Sequence, residues 1–189
     1  VPAGEGAPLL DRLQAVSDAW LAGKRAAEKG FSLGYFDRDY LMRLPVAVIE
    51  REGEVVAFAN VWPGPGRHEL SVDLMRHAPE APPGLMDALF THLLAWGKAE
   101  GYRWFALGMA PMSGFEQSPV GPLWSRLGRL VYTHGEPFYN FQGLRAYKEK
   151  FDPVWEPRYL AYPGGITLPR VLADIAALVA GGYRHVFMR

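Results

Sequence analysis

The stretch Pro45–His77, PVAVIEREGEVVAFANVWPGPGRHELSVDLMRH, decides the fold. It contains three runs rich in valine and other strand-forming residues, at 45–50, 54–62 and 68–75. Arg51-Glu52-Gly53 has the composition of a hairpin turn between the first two runs. The turn PGPGR joins the second run to the third. Three consecutive strands with short connections predict an antiparallel meander.

Helices and further strands are predicted around this meander from apolar spacing. Helices are expected at 9–30, 85–96, 123–130 and 168–179, with a helical turn within 37–44, and further strands at 102–109 and 155–163. This order predicts an α/β (α+β) fold in which helices flank a mixed sheet. It suits an N-acyltransferase with an acetyltransferase-like (GNAT-type) fold.

Length and composition predict one folded domain. The chain has 189 residues, of which 49% are hydrophobic and 13% are aromatic. Residues 1–8 are rich in Gly, Pro and Ala and are expected to be a linker or cut edge. The single domain is expected to span 9–189.

Several classes of function are excluded or disfavoured by composition. Lys+Arg and Asp+Glu both number 20, so an RNA contact requires a local basic patch. There is no cysteine, which excludes disulfides, thiol catalysis and zinc fingers. The sequence contains no apolar run of about 18 residues, so no membrane span is predicted. The N-terminus has no signal-peptide pattern.

The segment Tyr139–Phe151, YNFQGLRAYKEKF, is the predicted centre of the chemistry. Asn140 is a good N-cap for a helix that starts there. In that helix Arg145 and Lys148 lie three residues apart on one face, with Lys150 to one side. Such a helix could hold phosphate or stabilise an oxyanion, whereas the alternative is a solvated basic face.

A second candidate site lies near the end of the third strand. If Leu70, Val72 and Leu74 face the core, Asp73 lies on the opposite face. Its carboxylate could bind an ammonium group, and Arg76 a phosphate or carboxyl group. The alternative is a local salt bridge between Asp73 and Arg76.

Known cofactor and nucleophile motifs are absent from the sequence. The five histidines include no pair at spacing three or four, so no metal site is expected, and only His77 is a candidate general base. Ser113 does not lie in a GxSxG motif, and neither a P-loop nor GxGxxG is present. Three prolines within 76–84 cannot donate N–H groups to a pyrophosphate, which disfavours acetyl-CoA.

Six motifs in order give the chain a resemblance to a known family. They are FSLGYFD (31–37), AFAN (57–60), SVDLMRH (71–77), LGMAP (107–111), YNFQGLRAYKEKF (139–151) and PRYLAYP (157–163). Together they resemble the C-terminal catalytic domain of bacterial phosphatidylglycerol lysyltransferases, also called lysylphosphatidylglycerol synthases or multiple peptide resistance factors.

The resemblance implies transfer of an aminoacyl group, usually lysyl and sometimes alanyl, from aminoacyl-tRNA to the glycerol hydroxyl of phosphatidylglycerol. It also implies that this chain is the second of two tandem acetyltransferase-like folds, with the first fold and a membrane domain preceding it. The expected location is the cytoplasmic face of the inner membrane. No metal or cofactor is implied.

The same resemblance assigns roles to residues of this chain. Lys148 and Lys150 become the candidate catalytic residues, and Asp73, Arg76, Asn140 and Arg145 the substrate-binding residues. Arg126 and Arg129 are expected to contact tRNA. Two alternatives stay open, a CoA-dependent N-acyltransferase and a non-catalytic module that binds tRNA or lipid.

Overall fold

The computed structural model describes residues 1–23, 35–110, 141–164 and 167–180. The chain divides into two compact units, one formed by Val1–Ala106 with Leu160–Arg189 and the other by Leu107–Tyr159. The first unit contains α1 (Leu10–Ala22), α2 (Arg38–Leu41), β1 (Val46–Arg51), β2 (Glu54–Pro63), β3 (Glu69–His77), α3 (Leu85–Ala99), β4 (Trp104–Ala106) and α5 (Leu168–Ala180). The second contains α4 (Phe141–Glu149).

The sheet confirms the predicted meander. Strands β1, β2 and β3 pair antiparallel in sequence order, and β4 pairs parallel to β3, so the sheet is mixed. Helices flank this sheet, and the predicted fold class is therefore confirmed. Strand β4 is shorter than the predicted run at 102–109, and Trp104 at its start is half exposed rather than buried.

A β-bulge interrupts the pairing of β2 with β3. Ala59 is opposite Met75 and Val61 is opposite Val72, so Asp73 and Leu74 together face the single residue Asn60. The side-chain oxygen of Asn60 accepts a hydrogen bond of 2.7 Å from the Leu74 amide, which the bulge leaves without a partner in the ladder. A buried asparagine therefore stabilises the irregularity.

The bulge reverses the side of the sheet to which β3 side chains point. Leu70 packs with Leu89 and Leu93 of α3 on one face. Leu74 packs with Leu13 and Val16 of α1 on the other face. The prediction that Leu70 and Leu74 share one face is therefore wrong, because an extra residue between them breaks the two-residue period of a strand.

The described helices lie close to their predicted positions, and the helix expected at 123–130 lies outside the described residues. Helix α3 begins at Leu85 and α5 spans Leu168–Ala180, as expected from apolar spacing. The turn at 37–44 contains α2, and the side chain of Asp37 caps it by accepting from the Tyr40 amide at 2.7 Å. Helix α1 ends at Ala22, and the predicted continuation at 24–30 lies outside the described residues.

The second unit contains the predicted basic helix. Helix α4 spans Phe141–Glu149, and Tyr147 contacts Phe151 just after the helix, with ring centroids 5.7 Å apart. The strand predicted at 155–163 is wrong, since these residues form no strand. Pro157 and Pro163 have no N–H to donate to a ladder.

The N-terminal residues are hydrogen-bonded to the rest of the first unit. The Gly4 amide donates to Met42 O at 2.9 Å, and the Val46 amide donates to Val1 O at 2.9 Å.

Among the residues that the structure describes, no helix is long and apolar enough to cross a membrane. Within those residues no group of three His, Asp or Glu side chains is arranged to hold a metal ion.

Asn60→Leu removes the acceptor for the Leu74 amide while keeping a similar volume. We expect the free energy of unfolding to fall by about 1–3 kcal/mol, the cost of one unsatisfied buried N–H group. Urea unfolding of both proteins measures the difference. The exposed change Glu54→Gln on the same strand is the control and should shift stability by less than about 0.5 kcal/mol. An Asn60→Leu protein as stable as the parent would contradict the role of Asn60.

Candidate functional site

Asp73 lies at the bulge, where it meets α2. The Tyr40 hydroxyl donates to Asp73 Oδ2 at 3.0 Å, and Trp62 Nε1 donates to the Tyr40 hydroxyl at 2.6 Å. Asp73 lies opposite Leu70 and Val72 by the ordinary alternation of the strand, and so on the side of the sheet on which Tyr40 lies, while the extra residue turns Leu74 to that side as well. The three side chains form one relay from β2 through α2 to β3.

The second oxygen of the Asp73 carboxylate, Oδ1, accepts no hydrogen bond from the described residues. Its Oδ1 atom is buried, and so is Nδ2 of Asn60, yet neither reaches hydrogen-bond geometry with any described residue. Buried polar atoms are paired in most native structures, and an exception points to a ligand, an ion or a water. An acceptor of this kind suits a cationic donor such as an ammonium group.

Burial governs the ionisation of this relay. It raises the pKa of the Asp73 carboxyl, and the hydrogen bond from Tyr40, the nearby Asn60 amide and the charge of Arg76 oppose that rise without reversing it. Burial and the neighbouring Asp73 raise the pKa of Tyr40 to about 12. Tyr40 therefore remains a hydrogen-bond donor to Asp73 throughout the physiological range.

Arg76 was predicted to bind an anionic group of the substrate, but its side chain is packed within the protein. Its side chain is buried, and its guanidinium carbon lies 4.1 Å from the centroid of the Trp20 ring. Its Nη1 donates to Met75 O at 2.9 Å. Arg76 thus contributes positive charge near Asp73 from a packed position, and its contact with substrate stays a prediction.

His77, the candidate base, has one ring nitrogen in a local contact. Its Nδ1 lies 2.8 Å from Ala78 O, which fits a protonated Nδ1 that donates to this carbonyl. The structure gives His77 no part in the relay of Asp73.

A cleft of about 380 Å³ adjoins the relay. Its lining consists of Tyr40, Leu44, Trp62, Pro63, Gly64, Glu69 and Ser71. Gly64 is required at its edge, because an added Cβ there would lie 2.6 Å from Glu69 O. The lining of the cleft therefore includes two aromatic side chains, the carboxylate of Glu69 and the hydroxyls of Tyr40 and Ser71.

Lys148 is the buried member of the basic set in the second unit. Only 7% of its surface is exposed, and its Nζ donates to Met109 O at 2.9 Å. No carboxylate among the described residues forms an ion pair with it, and burial lowers the pKa of its ammonium group. Gly108, with φ +76°, lets the chain pass close by, since an added Cβ would lie 3.6 Å from Nζ.

Arg145 and Lys150 are more exposed than Lys148. Arg145 Nε forms a 2.8 Å ion pair with Glu149, and its guanidinium carbon lies 4.8 Å from the centroid of the Trp155 ring. Lys150 Nζ lies 5.0 Å from the centroid of the Tyr147 ring. The two predicted catalytic lysines thus differ sharply, and the buried one has the environment of a functional group.

The remaining predicted site residues, Asn140, Arg126 and Arg129, lie outside the described residues. Asp73 and Arg76 belong to the first unit, and Arg145, Lys148 and Lys150 belong to the second. Sequence reasoning missed Tyr40, Trp62 and Asn60. Tyr40 follows a helix cap and Trp62 ends a strand, which are ordinary places for aromatic residues, so neither position indicated a relay.

The chain matches a described protein family over most of its length. The profile of the family described as "Phosphatidylglycerol lysyltransferase, C-terminal" covers residues 2–162. A phosphatidylglycerol lysyltransferase of Bacillus subtilis is 46% identical over 155 residues, which are 81% of this chain and 18% of that protein. One of Staphylococcus aureus is 43% identical over 171 residues, or 90% of this chain and 20% of that protein.

Two solved structures are similar to this chain. The crystal structure of the C-terminal domain of a putative lysylphosphatidylglycerol synthetase from Agrobacterium fabrum has a TM-score of 0.82 and 44% identity, covering 97% of this chain and 55% of that one. The structure of L-PGS from Bacillus licheniformis has a TM-score of 0.76 and 43% identity, covering 93% and 53%. This chain thus spans about a fifth of the curated relatives and about half of the solved ones.

Asp73→Asn should change how stability depends on pH. Because folding raises the pKa of Asp73, the protonated carboxyl favours the folded state, and that contribution is lost as the pH rises from 3.8 through the raised value. We therefore expect Asp73→Asn to be more stable than the parent at pH 7, with the difference shrinking as the pH falls. Urea midpoints across this range measure it.

Glu80→Gln, which changes an exposed carboxylate, is the control for this series. It should leave the pH profile of the parent unchanged. A constant difference between Asp73→Asn and the parent at every pH would contradict the raised pKa.

Proposed function

The chain belongs to the family of phosphatidylglycerol lysyltransferase C-terminal domains, and from this premise we propose that it takes part in aminoacyl transfer to phosphatidylglycerol. The donor is an aminoacyl-tRNA, chiefly lysyl-tRNA, and the acceptor is the glycerol hydroxyl of the lipid. The chain acts as part of a longer protein at the cytoplasmic face of the membrane, together with a preceding fold and a membrane domain. The observation that most favours catalysis over simple binding is the buried ammonium of Lys148, which no described carboxylate neutralises.

Asp73 is proposed to hold the α-ammonium of the aminoacyl group. Its buried Oδ1 has no hydrogen-bond partner in the described chain, and an ammonium would supply one. Tyr40 fixes the other oxygen, so the carboxylate is already oriented before substrate binds. Such preorganisation lowers the entropic cost of aligning the ester.

Lys148 is proposed to stabilise the charge that develops during transfer. The lipid hydroxyl attacks the ester carbonyl, a new C–O bond forms, and the negative charge moves to the carbonyl oxygen. An ammonium uses one N–H for Met109 and has two more, which suit an oxyanion.

The second half of the reaction needs a proton on the leaving group. The tetrahedral intermediate collapses and the bond to the tRNA ribose oxygen breaks as Lys148 gives that oxygen a proton. The neutral amine that results takes up the proton of the attacking lipid hydroxyl, so that Lys148 ends as an ammonium again. Because burial lowers the pKa of Lys148, its ammonium releases a proton more readily than a solvated lysine does. One ester replaces another, so the step requires no cofactor.

The tRNA is proposed to contact Arg126, Arg129 and helix α4. The chain has no net charge, so a uniform field cannot attract RNA. Phosphate contacts release counterions condensed on the RNA, and this release is less favourable at high salt, so the affinity should fall with ionic strength. Association that is insensitive to salt would contradict these contacts.

Lys148→Met in the full-length parent protein tests the catalytic assignment. Transfer of labelled lysine from lysyl-tRNA to phosphatidylglycerol vesicles should fall by about 100- to 1,000-fold in kcat, the usual cost of one oxyanion donor. Lys148→Arg, which keeps a charge, should restore part of the rate.

Lys150→Met is the matched comparison, because it removes an exposed lysine from the same helix. Its rate should stay within about tenfold of the parent. Equal losses in Lys148→Met and Lys150→Met would contradict the assignment of Lys148, and a parent that transfers no amino acid to the lipid would overturn the proposed function.

A further inference from the structure

We propose that Trp155 and Arg145 bind the unpaired 3′ end of the tRNA, with the indole ring stacked on the terminal base and the guanidinium paired with a backbone phosphate. The site rests on the proposed function, since it holds the RNA that carries the aminoacyl group. It lies in the second unit and takes no part in holding the amino acid itself.

The chain after helix α4 leaves aromatic rings at the surface of the second unit. Trp155 is 41% exposed and Tyr159 is 88% exposed. Among the described residues, neither ring packs against another aromatic ring. Exposed rings that lie so close in sequence indicate a binding surface, and each has a π-face on which a nucleobase stacks.

Arg145 holds Trp155 beside helix α4. Its guanidinium carbon lies 4.8 Å from the centroid of the Trp155 ring, and its Nε donates to Glu149 Oε1 at 2.8 Å. A guanidinium has five N–H donors, and the Nη groups of Arg145 donate to no described residue. These two groups match two oxygens of a phosphate, while the exposed part of the indole remains for a base.

A second arginine lies next to the second ring. Arg158 directly precedes Tyr159, and its Nη1 donates to Glu156 Oε2 at 3.0 Å. Both side chains of this ion pair are largely exposed. Exposed ion pairs contribute little stability, so a phosphate displaces the carboxylate at small cost. Aromatic rings together with arginines are the composition that binds single-stranded nucleic acid.

The position of this surface favours the end of the tRNA. Arg145 precedes Lys148 by three residues on helix α4, and side chains at this spacing are neighbours, about 5–6 Å apart between Cβ atoms. Lys148 is proposed to give a proton to the ribose oxygen of the terminal nucleotide. The base of that nucleotide is joined to the same ribose, so it lies close to helix α4, where Trp155 contacts Arg145.

Of the two substrates of the proposed reaction, only the RNA has planar groups. The headgroup of phosphatidylglycerol is a glycerol joined to a phosphodiester, which offers no π-face to an indole. A lipid surface suits a continuous apolar face, whereas Glu156, Pro157 and Arg158 separate the two rings of this segment. The chemistry at Trp155 therefore favours a base over a lipid.

The test compares two RNAs that differ in one group. Both are fluorescein-labelled hairpins with an unpaired CCA 3′ end, and in one of them the last nucleotide lacks its adenine. Neither RNA carries an amino acid, so binding involves neither the aminoacyl pocket nor the transfer step. Fluorescence anisotropy measures the affinity of the full-length parent protein and of its variants for each RNA.

We expect the parent protein to bind the intact RNA about 10- to 100-fold more tightly than the abasic one, the usual effect of stacking one base on an aromatic ring. Trp155→Leu should erase this preference and leave binding of the abasic RNA nearly unchanged, which also shows that the variant is folded. Trp155→Phe should retain part of the preference. Trp96→Leu, which removes a tryptophan of similar exposure from the first unit, is the control and should behave as the parent protein.

Two further variants separate the phosphate contact from stacking. Arg145→Gln should weaken binding of both RNAs and lower the slope of log affinity against log salt by about 1, as expected for one lost phosphate contact. Tyr159→Leu should weaken binding of both RNAs alike and keep the preference, because its ring stacks on a base that the two RNAs share.

Equal affinity of the parent protein for the two RNAs, or a preference that survives Trp155→Leu, would overturn the site. Loss of binding to phosphatidylglycerol vesicles in Trp155→Leu, with RNA binding intact, would assign the surface to the lipid instead. If the preference depends on Trp155 while the parent protein transfers no lysine to phosphatidylglycerol, the RNA site stands and the proposed function fails. If transfer occurs without that preference, the proposed function stands and the RNA site fails.

Discussion

The β-bulge at Asp73 and Leu74 is the constraint on which the rest of the first unit depends. One extra residue lets Leu70 pack against α3 and Leu74 against α1, so a single strand contributes to both cores. Asp73, the other residue of the bulge, lies on the same side as Leu74 and accepts from Tyr40. Asn60 stabilises the irregularity by accepting from the freed Leu74 amide. The bulge therefore places a core leucine and the carboxylate next to each other on one face of the sheet.

Both charged groups that the proposed reaction uses are held in surroundings that disfavour their charge. Burial raises the pKa of the Asp73 carboxyl and lowers that of the Lys148 ammonium. Each group lowers the stability of the protein when it is ionised without an oppositely charged partner. A bound substrate that carries the opposite charge supplies that partner. The protein thus holds unsatisfied groups at the places where binding energy is needed, a common compromise at functional sites.

The sequence predicted the regular parts of the fold because periodicity reports burial directly. The three strands of the meander and helices α3, α4 and α5 follow from alternation and helical spacing. The bulge was not predictable, since Leu70, Val72 and Leu74 continue an unbroken alternation through it. Tyr40 and Trp62 were missed for a related reason: their importance comes from a contact between distant residues, which no local pattern encodes. The wrong strand at 155–163 came from aromatic content that proline overrides.

In the proposed transfer, positioning matters more than driving force. Exchange of one ester for another changes little in bond energy, so the rate depends on how well hydroxyl, carbonyl and leaving oxygen are aligned. A relay of Trp62, Tyr40 and Asp73 restricts the carboxylate before substrate arrives, because each side chain is held by the next. An isolated aspartate on a regular strand would need to be ordered during binding, and that entropic cost would fall on the transfer itself.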